Sequence, residues 1–460
     1  MVSLQTPPRT GVRTGTAGGP GPGAGATSSV PVGAPGRRTR GRAAWGRLRV
    51  GTSRRVRERT SGLSGTWDSP VTSYYLLGGV TLLLLLLGLV MVLSSSIISS
   101  ISKDGNPFTV FLDQAKFALI GVPLLVVASR LPVSLYRRIA WPALGVGIAL
   151  QLLVFVPGLG ASKGGNTNWV IIPGIGQSVQ PSEFAKLALA VWLGAVLARK
   201  RHLLGDVRHV VMPALLFSLV VVGLVMKGHD LGTALILVAL IAGALYAAGV
   251  PMWMFTVSGI AAAVGVVALT VSSKNRLDRI STFVNGAAGD PQGLGYQSKH
   301  GIWGLGTGGL SGVGLGASRE KWLYLPEAHN DFIFAIIGEE LGLLGTLLVL
   351  GLFGVLAVAL FRVVRRSPDP FVRITTTAIT AWVLGQALVN IGVVIGVIPV
   401  IGVPLPLVSA GGSALITTLA ALGVVLAFAR DEPGASEALA ARRGVMRRSL
   451  AVVPGRRRRG

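Results

Sequence analysis

Tyr74-Tyr-Leu-Leu-Gly-Gly-Val-Thr-Leu-Leu-Leu-Leu-Leu-Leu-Gly-Leu-Val-Met-Val-Leu93 runs for twenty residues without a charge. At a rise of about 1.5 Å per residue, a helix of that length covers about 30 Å, the thickness of a bilayer's hydrocarbon core. Extended to 74–98, it is the first of ten such runs. The others lie near 109–128, 139–157, 182–198, 209–226, 231–250, 252–271, 332–361, 374–396 and 412–429. They predict an all-α, polytopic membrane protein with about ten transmembrane helices. The composition agrees: 51% of the 460 residues are apolar and 13% charged, where a soluble domain carries about 25% charge. The 64 glycines follow no three-residue period, and the middle is rich in Leu, Val and Ile, so collagen-like and disordered classes are excluded. With no Cys there are no disulfides or thiolate metal sites.

Most of the net charge of +25 sits at the two ends. Residues 1–73 hold twelve Arg against two acids, in a Gly-, Pro-, Ser- and Thr-rich stretch that reads as a disordered basic tail. Residues 431–460 form a second basic tail, leaving 74–430 as the membrane domain. Both tails suit contact with anionic lipid; no folded recognition module accompanies the Arg, so nucleic acid is not expected as a partner. Between spans, the short loops on the tails' side carry eleven Lys or Arg, including Arg130, Arg137, Arg199, Arg201 and Arg366, against three (Lys103, Lys163, Lys227) opposite. That asymmetry places both termini in the cytoplasm. One long loop, about 272–331, then faces outward before the eighth span, as does 158–181. Chemistry on that side has no ATP and needs substrates that arrive activated.

The long loop ends in Leu325-Pro-Glu-Ala-His-Asn-Asp331, directly before an apolar run. Asp331 at the mouth of a span has the chemistry of a general base; Asn330 or Asp331 also suits a helix N-cap. Glu339 and Glu340 fall about two turns further on, deep enough to require a partner or a wet cavity. Gln180-Pro-Ser-Glu-Phe-Ala-Lys186 reads as a helix start with Glu183 as capping group and a Glu183–Lys186 pair, or equally as a charged site for an anionic lipid head. Asp113 with Lys116, and Asp230, read as structural pairs at span ends. The loop's cations, among them Arg279, Arg319 and Lys321, are nearly balanced by five acids. Gly304-Leu-Gly-Thr-Gly-Gly309 fits a dinucleotide pattern formally, but follows no buried strand, and reads instead as a turned loop segment.

Several segments together resemble the SEDS family (shape, elongation, division and sporulation), and most closely its division branch. They are Gln180-Pro-Ser-Glu-Phe-Ala-Lys-Leu187, Asp230-Leu-Gly-Thr-Ala-Leu235, Gly312-Val-Gly-Leu-Gly316, Tyr324-Leu-Pro-Glu-Ala-His-Asn-Asp-Phe-Ile-Phe-Ala335, Ile337-Gly-Glu-Glu-Leu-Gly342, and Pro404-Leu-Pro-Leu-Val-Ser409 with Gly411-Gly-Ser413. The chain departs from the family pattern at Asn330, where a Thr is usual, and at Ala410, where a Tyr is usual.

The resemblance implies a peptidoglycan glycosyltransferase that joins lipid II units into glycan strands at the outer membrane face, with inversion at the anomeric carbon. The growing strand on undecaprenyl pyrophosphate would be the donor. Asp331 matches the family's essential Asp and would be the base. Lys186, Arg279, Arg319 and Lys321 would offset pyrophosphate charge, with a divalent cation (Mg or Mn) as an open addition, while Glu183, Glu327 and His329 shape the cavity. A class B penicillin-binding transpeptidase and other division proteins are the implied partners, and the septal plasma membrane the implied location. A lipid II flippase and an elongation-type polymerase are the alternative readings. A transporter needs its polar groups near the midplane, which disfavours the first.

Overall fold

The computed structural model describes residues 69–163, 166–171, 178–271, 277 and 294–439. The expected N-terminal tail up to residue 68, residues 440–460 and Arg279 lie outside the described residues.

All ten expected runs are helical. They are α1 (Thr72–Asp104), α2 (Thr109–Arg130), α3 (Val133–Leu153), α4 (Pro181–Lys200), α5 (Val207–Lys227), α6 (Leu231–Ala248), α7 (Met252–Val271), α9 (Ile333–Arg366), α10 (Pro370–Val394) and α11 (Gly412–Arg430). Among the described residues, eight of these are long and apolar enough to cross a membrane; α3 and α7 occupy the other two expected positions. α8 (Leu294–Gly308) lies in the long loop. The segment between α3 and α4 carries a small antiparallel sheet that hydropathy does not reveal: β1 (Gly160–Lys163), β2 (Asn166–Ile171) and β3 (Ser178–Val179), in the order β1-β2-β3.

The loops assigned to one side by their charge do gather at one end. Arg137 pairs with Asp369, joining α3 to the start of α10. Arg430 donates to the carbonyls of Ser129 at 3.0 Å and Leu131 at 3.3 Å. Glu432, expected to lie in the C-terminal tail, is instead buried and accepts from Ser73 at 3.3 Å, so the folded body continues past residue 430. Burial pushes the Glu432 carboxyl above its usual range, against the pull of Ser73, Arg366 and Arg362. The tip of the β1–β2 hairpin belongs to the opposite end, where Thr167 donates to Gly228 O at 2.9 Å.

The feature that shapes the opposite end is a break in α9. Gly342 has φ 70° and ψ −163°, which no helix tolerates and which only Gly adopts without strain. Leu343–Arg366 is then a span of about 36 Å, and Ile333–Leu341 a separate short helix before it. A broken helix leaves backbone groups without partners, which is costly in a membrane unless protein supplies them. Residues 309–314 do so. Leu343 N and Leu344 N donate to Gly309 O and Leu310 O at 2.9 and 3.3 Å, and Val313 N and Gly314 N donate to Glu339 O and Glu340 O at 2.9 and 3.1 Å.

This break corrects two expectations. Glu339 and Glu340 are not two turns down a continuous span; they precede it, at the level where it begins. Nor is Gly304–Gly308 a loop, because it forms the last turns of α8 packed on the short helix. A Cβ on Gly308 would stand 1.9 Å from Gly338 O, so that contact excludes any side chain. Gly308→Ala is expected to cost about 3 kcal/mol or more from overpacking. Gly306→Ala, with nothing within 4 Å of its Cβ, should gain about 0.5–1 kcal/mol. Thermal unfolding of the purified chain in detergent reads both signs, and a Gly308→Ala midpoint equal to the wild type would refute the close contact.

Candidate active site at the mouth of the broken helix

Asp331 lies two residues before the short helix Ile333–Leu341. The N-cap position falls on Phe332, not on Asn330 or Asp331, and Phe332 makes no side-chain capping bond. Three successive carbonyls of this turn are instead gripped by other parts of the fold. Ala410 N donates to His329 O at 2.9 Å, Ser409 Oγ to Asn330 O at 2.7 Å, and Asn390 Nδ2 to Asp331 O at 2.7 Å. The Ala410 contact is a backbone one, so losing the family's aromatic ring leaves it intact. Ser409 and Gly411 are held in turn by Gln114 of α2, at 3.2 and 3.0 Å. The Asp331 side chain is half-exposed and faces Gly402, whose missing Cβ would stand 3.5 Å from Oδ2.

One turn back along α10 from Asn390 is Gln386, on the same face. Gln386 Oε1 accepts from Lys186 Nζ and from Trp382 Nε1, both at 3.0 Å, while its Nε2 donates to Pro404 O at 3.0 Å. Lys186 pairs with Glu183 at 2.9 Å and lies over the Trp382 ring at 4.9 Å; both charged residues are buried. Glu183 does not cap α4, because Lys186 holds its carboxylate. Its Oε2 has no protein partner, nor has Asn390 Oδ1. Pro181 stands in the first turn of α4, as its sequence suggests. α10 and the segment 402–411 thus tie the Lys186 pair to the Asp331 turn.

Asp230 caps α6 by accepting from Thr233 N at 2.8 Å, and also receives Gln180 Nε2 at 3.1 Å. Asp113 and Lys116 form an exposed pair at 3.0 Å.

The remaining expected residues divide. Lys321 is buried and its ammonium is taken up by Glu340 Oε1 at 3.1 Å, Gly316 O at 2.6 Å and Ser94 O at 3.3 Å. Glu340 also accepts from Ser94 Oγ at 2.7 and 2.6 Å. The charge of Lys321 is therefore neutralised inside the protein, where it anchors the loop. Arg319 has an exposed side chain, and its backbone N donates to Glu339 Oε1 at 2.9 Å. Ser318 Oγ donates to Glu339 Oε2 at 2.5 Å. Glu327 is exposed at φ 56° and receives Asn330 Nδ2. His329 is half-buried; burial holds its imidazole below the usual 6.5, with Lys103 adding to the effect and Glu327 opposing it. His300 meets Glu320 at 2.7 Å. Burial pushes the Glu320 carboxyl up, His300 opposes, and Glu339 adds to the rise.

Among the described residues no group of three or more His, Cys, Asp or Glu is placed to hold a metal ion. The residues that sequence reasoning did not single out are Gln114, Gln386, Asn390 and Ser318, together with the role of Ser409. Gln386 and Asn390 carry a signal, since two amides four apart interrupt an otherwise apolar span.

A helical bundle with a polar cluster sunk into one end, under a loop spliced into a broken helix, is the architecture of a multi-spanning membrane protein with a built polar site rather than of a simple anchor. The chain belongs to the cell cycle protein family of FtsW, RodA and SpoVE, whose family model matches residues 75–433. It is 41% identical over 380 residues to a probable peptidoglycan glycosyltransferase FtsW of Mycobacterium tuberculosis, covering 82% of this chain and 72% of that one. It is 37% identical over 352 residues to the stage V sporulation protein E of Bacillus subtilis, covering 76% and 95%. Among solved structures it is similar to a chain of a peptidoglycan synthase complex described as coordinating polymerization and crosslinking, at 29% identity, a TM-score of 0.63, and 77% and 97% coverage. It is also similar to the rod shape determining protein RodA of Thermus thermophilus, at 28% identity, a TM-score of 0.57, and 78% and 97% coverage.

Two stability measurements test this geometry. Lys186→Met strands a buried carboxylate and is expected to cost about 3–5 kcal/mol, most of it regained in the Glu183→Gln/Lys186→Met double variant; equal losses in both would show that the pair is not coupled. The lowered His329 value has a definite sign. Below about pH 6.5 the unfolded imidazole takes a proton that the folded one resists, so stability falls as pH drops from 6.5 through the folded value. His329→Gln should flatten that acid-side decline in detergent melts between pH 7 and 5, and an unchanged slope would refute it.

Proposed function

We propose that the chain is a peptidoglycan glycosyltransferase that polymerises lipid II, acting from the end of the bundle that carries Asp331. The observation that carries this reading is the triple grip on the carbonyls of His329, Asn330 and Asp331. It fixes the backbone of a half-exposed carboxylate at the mouth of the bundle, where a base for a sugar hydroxyl is needed. The relatives named as glycosyltransferases support the reaction class. The charge asymmetry between loops supports an outward-facing site.

In this reading the carboxylate of Asp331 accepts the proton of the acceptor's sugar hydroxyl as that oxygen attacks the anomeric carbon of the donor. The bond from that carbon to the pyrophosphate oxygen breaks, and undecaprenyl pyrophosphate leaves with the electron pair. Configuration inverts because attack and departure are on opposite faces. Arg319, exposed on the loop that is spliced into the broken helix, and Arg279 are assigned to the leaving pyrophosphate. Lys186, neutralised by Glu183, is tied to the site through Gln386 and α10 and sets its shape. Lys321 holds the loop in place. A divalent cation, where one takes part, arrives with the pyrophosphate. His329 and Glu327 form the rim.

The polymerase is read as a division-type enzyme of the septal membrane that works with a crosslinking transpeptidase of the class B penicillin-binding type. The FtsW relatives and the synthase-complex neighbour support both assignments. The polar residues lie at one end and not at the midplane, which favours an enzyme over a lipid II flippase.

Asp331→Asn should reduce polymerisation of purified lipid II by at least about 10³-fold while leaving the melting midpoint within about 2 °C of the wild type. Glycan strands formed at the wild-type rate by that variant would remove Asp331 from the mechanism.

A further inference from the structure

The end opposite Asp331 contains a cavity of about 380 Å³ between the start of α3, the end of α4 and the start of α10. Its charge comes from Arg137, Arg199, Arg201 and Asp369, and its apolar floor includes Ala195 and Phe371. The volume falls within the range of small-molecule sites and holds a phosphate with a short polyol attached.

Three guanidinium groups against one carboxylate leave a formal charge of +2, which complements one phosphate group. Arg137 is oriented twice, by its ion pair with Asp369 and by lying over the Phe371 ring at 5.1 Å. One oxygen of Asp369 caps α10, accepting from Phe371 N at 3.0 Å. The positive end of a 25-residue helix therefore points at the same space. Lys200 is not part of the group, because its ammonium is bound to Met212 O at 2.6 Å. Arg199 and Arg201 are exposed, and Arg201 uses Nε on His202 at 3.2 Å, which leaves its two terminal nitrogens directed elsewhere. Arg presents a planar fork that matches two phosphate oxygens. The apolar floor and the position at helix ends suit a headgroup entering from a leaflet.

We propose that this cavity binds a phosphate group, either in the headgroup of an acidic phospholipid of the adjoining leaflet or as a free phosphate ester. The site is built from helix ends, none of its lining residues belongs to the basic tails, and it does not depend on the catalytic reading.

The test compares the full chain with Arg199→Gln/Arg201→Gln, both in a neutral detergent, by melting midpoint against added phosphatidylglycerol, phosphatidylcholine or glycerol 1-phosphate. The tails are the same in both proteins, so their contribution cancels. Phosphatidylglycerol is expected to raise the wild-type midpoint where phosphatidylcholine does not, with an apparent affinity roughly tenfold weaker in the variant. A rise with glycerol 1-phosphate as well identifies the phosphate itself as sufficient; a rise with the lipid alone identifies the headgroup at a membrane. Equal rises in wild type and variant, or no rise with either phosphate probe, would overturn the proposal. If the Gln pair fails to fold, Arg199→Lys/Arg201→Lys keeps the charge, loses the fork and reads the same difference.

Discussion

A helix that breaks inside a membrane protein must have its freed backbone groups satisfied by protein, because lipid offers nothing in return. The break at Gly342 and the splice of residues 309–314 into it meet that requirement with four backbone hydrogen bonds. Most of the candidate site follows from this one arrangement. The splice brings Ser318, Arg319 and Lys321 against Glu339 and Glu340, and the short helix before the break sets the direction in which the Asp331 turn enters. Gly308, Gly312 and Gly342 are required together, because the backbones meet too closely for side chains.

The turn itself is then fixed from a second direction. Asn390 of α10 and the segment Ser409–Ala410 hold three carbonyls in a row, and α2 holds that segment through Gln114. Carbonyl contacts of this kind constrain the backbone without engaging the carboxylate themselves. A catalytic carboxylate benefits from such an arrangement, since geometry held by neighbours is not lost to thermal motion at the moment of reaction. The same α10 face carries Gln386 to the Lys186–Glu183 pair, so one helix ties together two clusters that lie more than 140 residues apart in sequence.

The ten helices were legible because each is a long apolar run, and hydropathy reports length and polarity directly. The grouping of Arg-bearing loops at one end was legible for the same reason. The small sheet at 160–179 was not, since four- and six-residue strands in a polar loop carry no distinctive period. The depth of Glu339 and Glu340 was misjudged because a glycine within a helical run looks like an ordinary glycine; only its positive φ reveals the break. In the site, Asp331, Glu183 and Lys186 stood out as charges beside apolar runs. Asn390, Gln386 and Gln114 did not, because they carry no charge to mark them as candidates, although they make the contacts that position the charges.

The electrostatics of the two ends differ in kind, and this constrains how the site handles an anion. At the basic end the Arg side chains are largely exposed, and water screens them. At the other end several charges are buried or nearly so and committed to partners: Lys186 to Glu183, Lys321 to Glu340, and His300 to Glu320. A buried cation already paired with a carboxylate presents little net charge to a third group, however close it comes. In the proposed reaction the leaving pyrophosphate is therefore assigned to the exposed loop cations or to a cation that it brings along. The buried pairs set shape instead. Glu183 Oε2 is left buried without a protein partner, beside the oxygen that Lys186 holds.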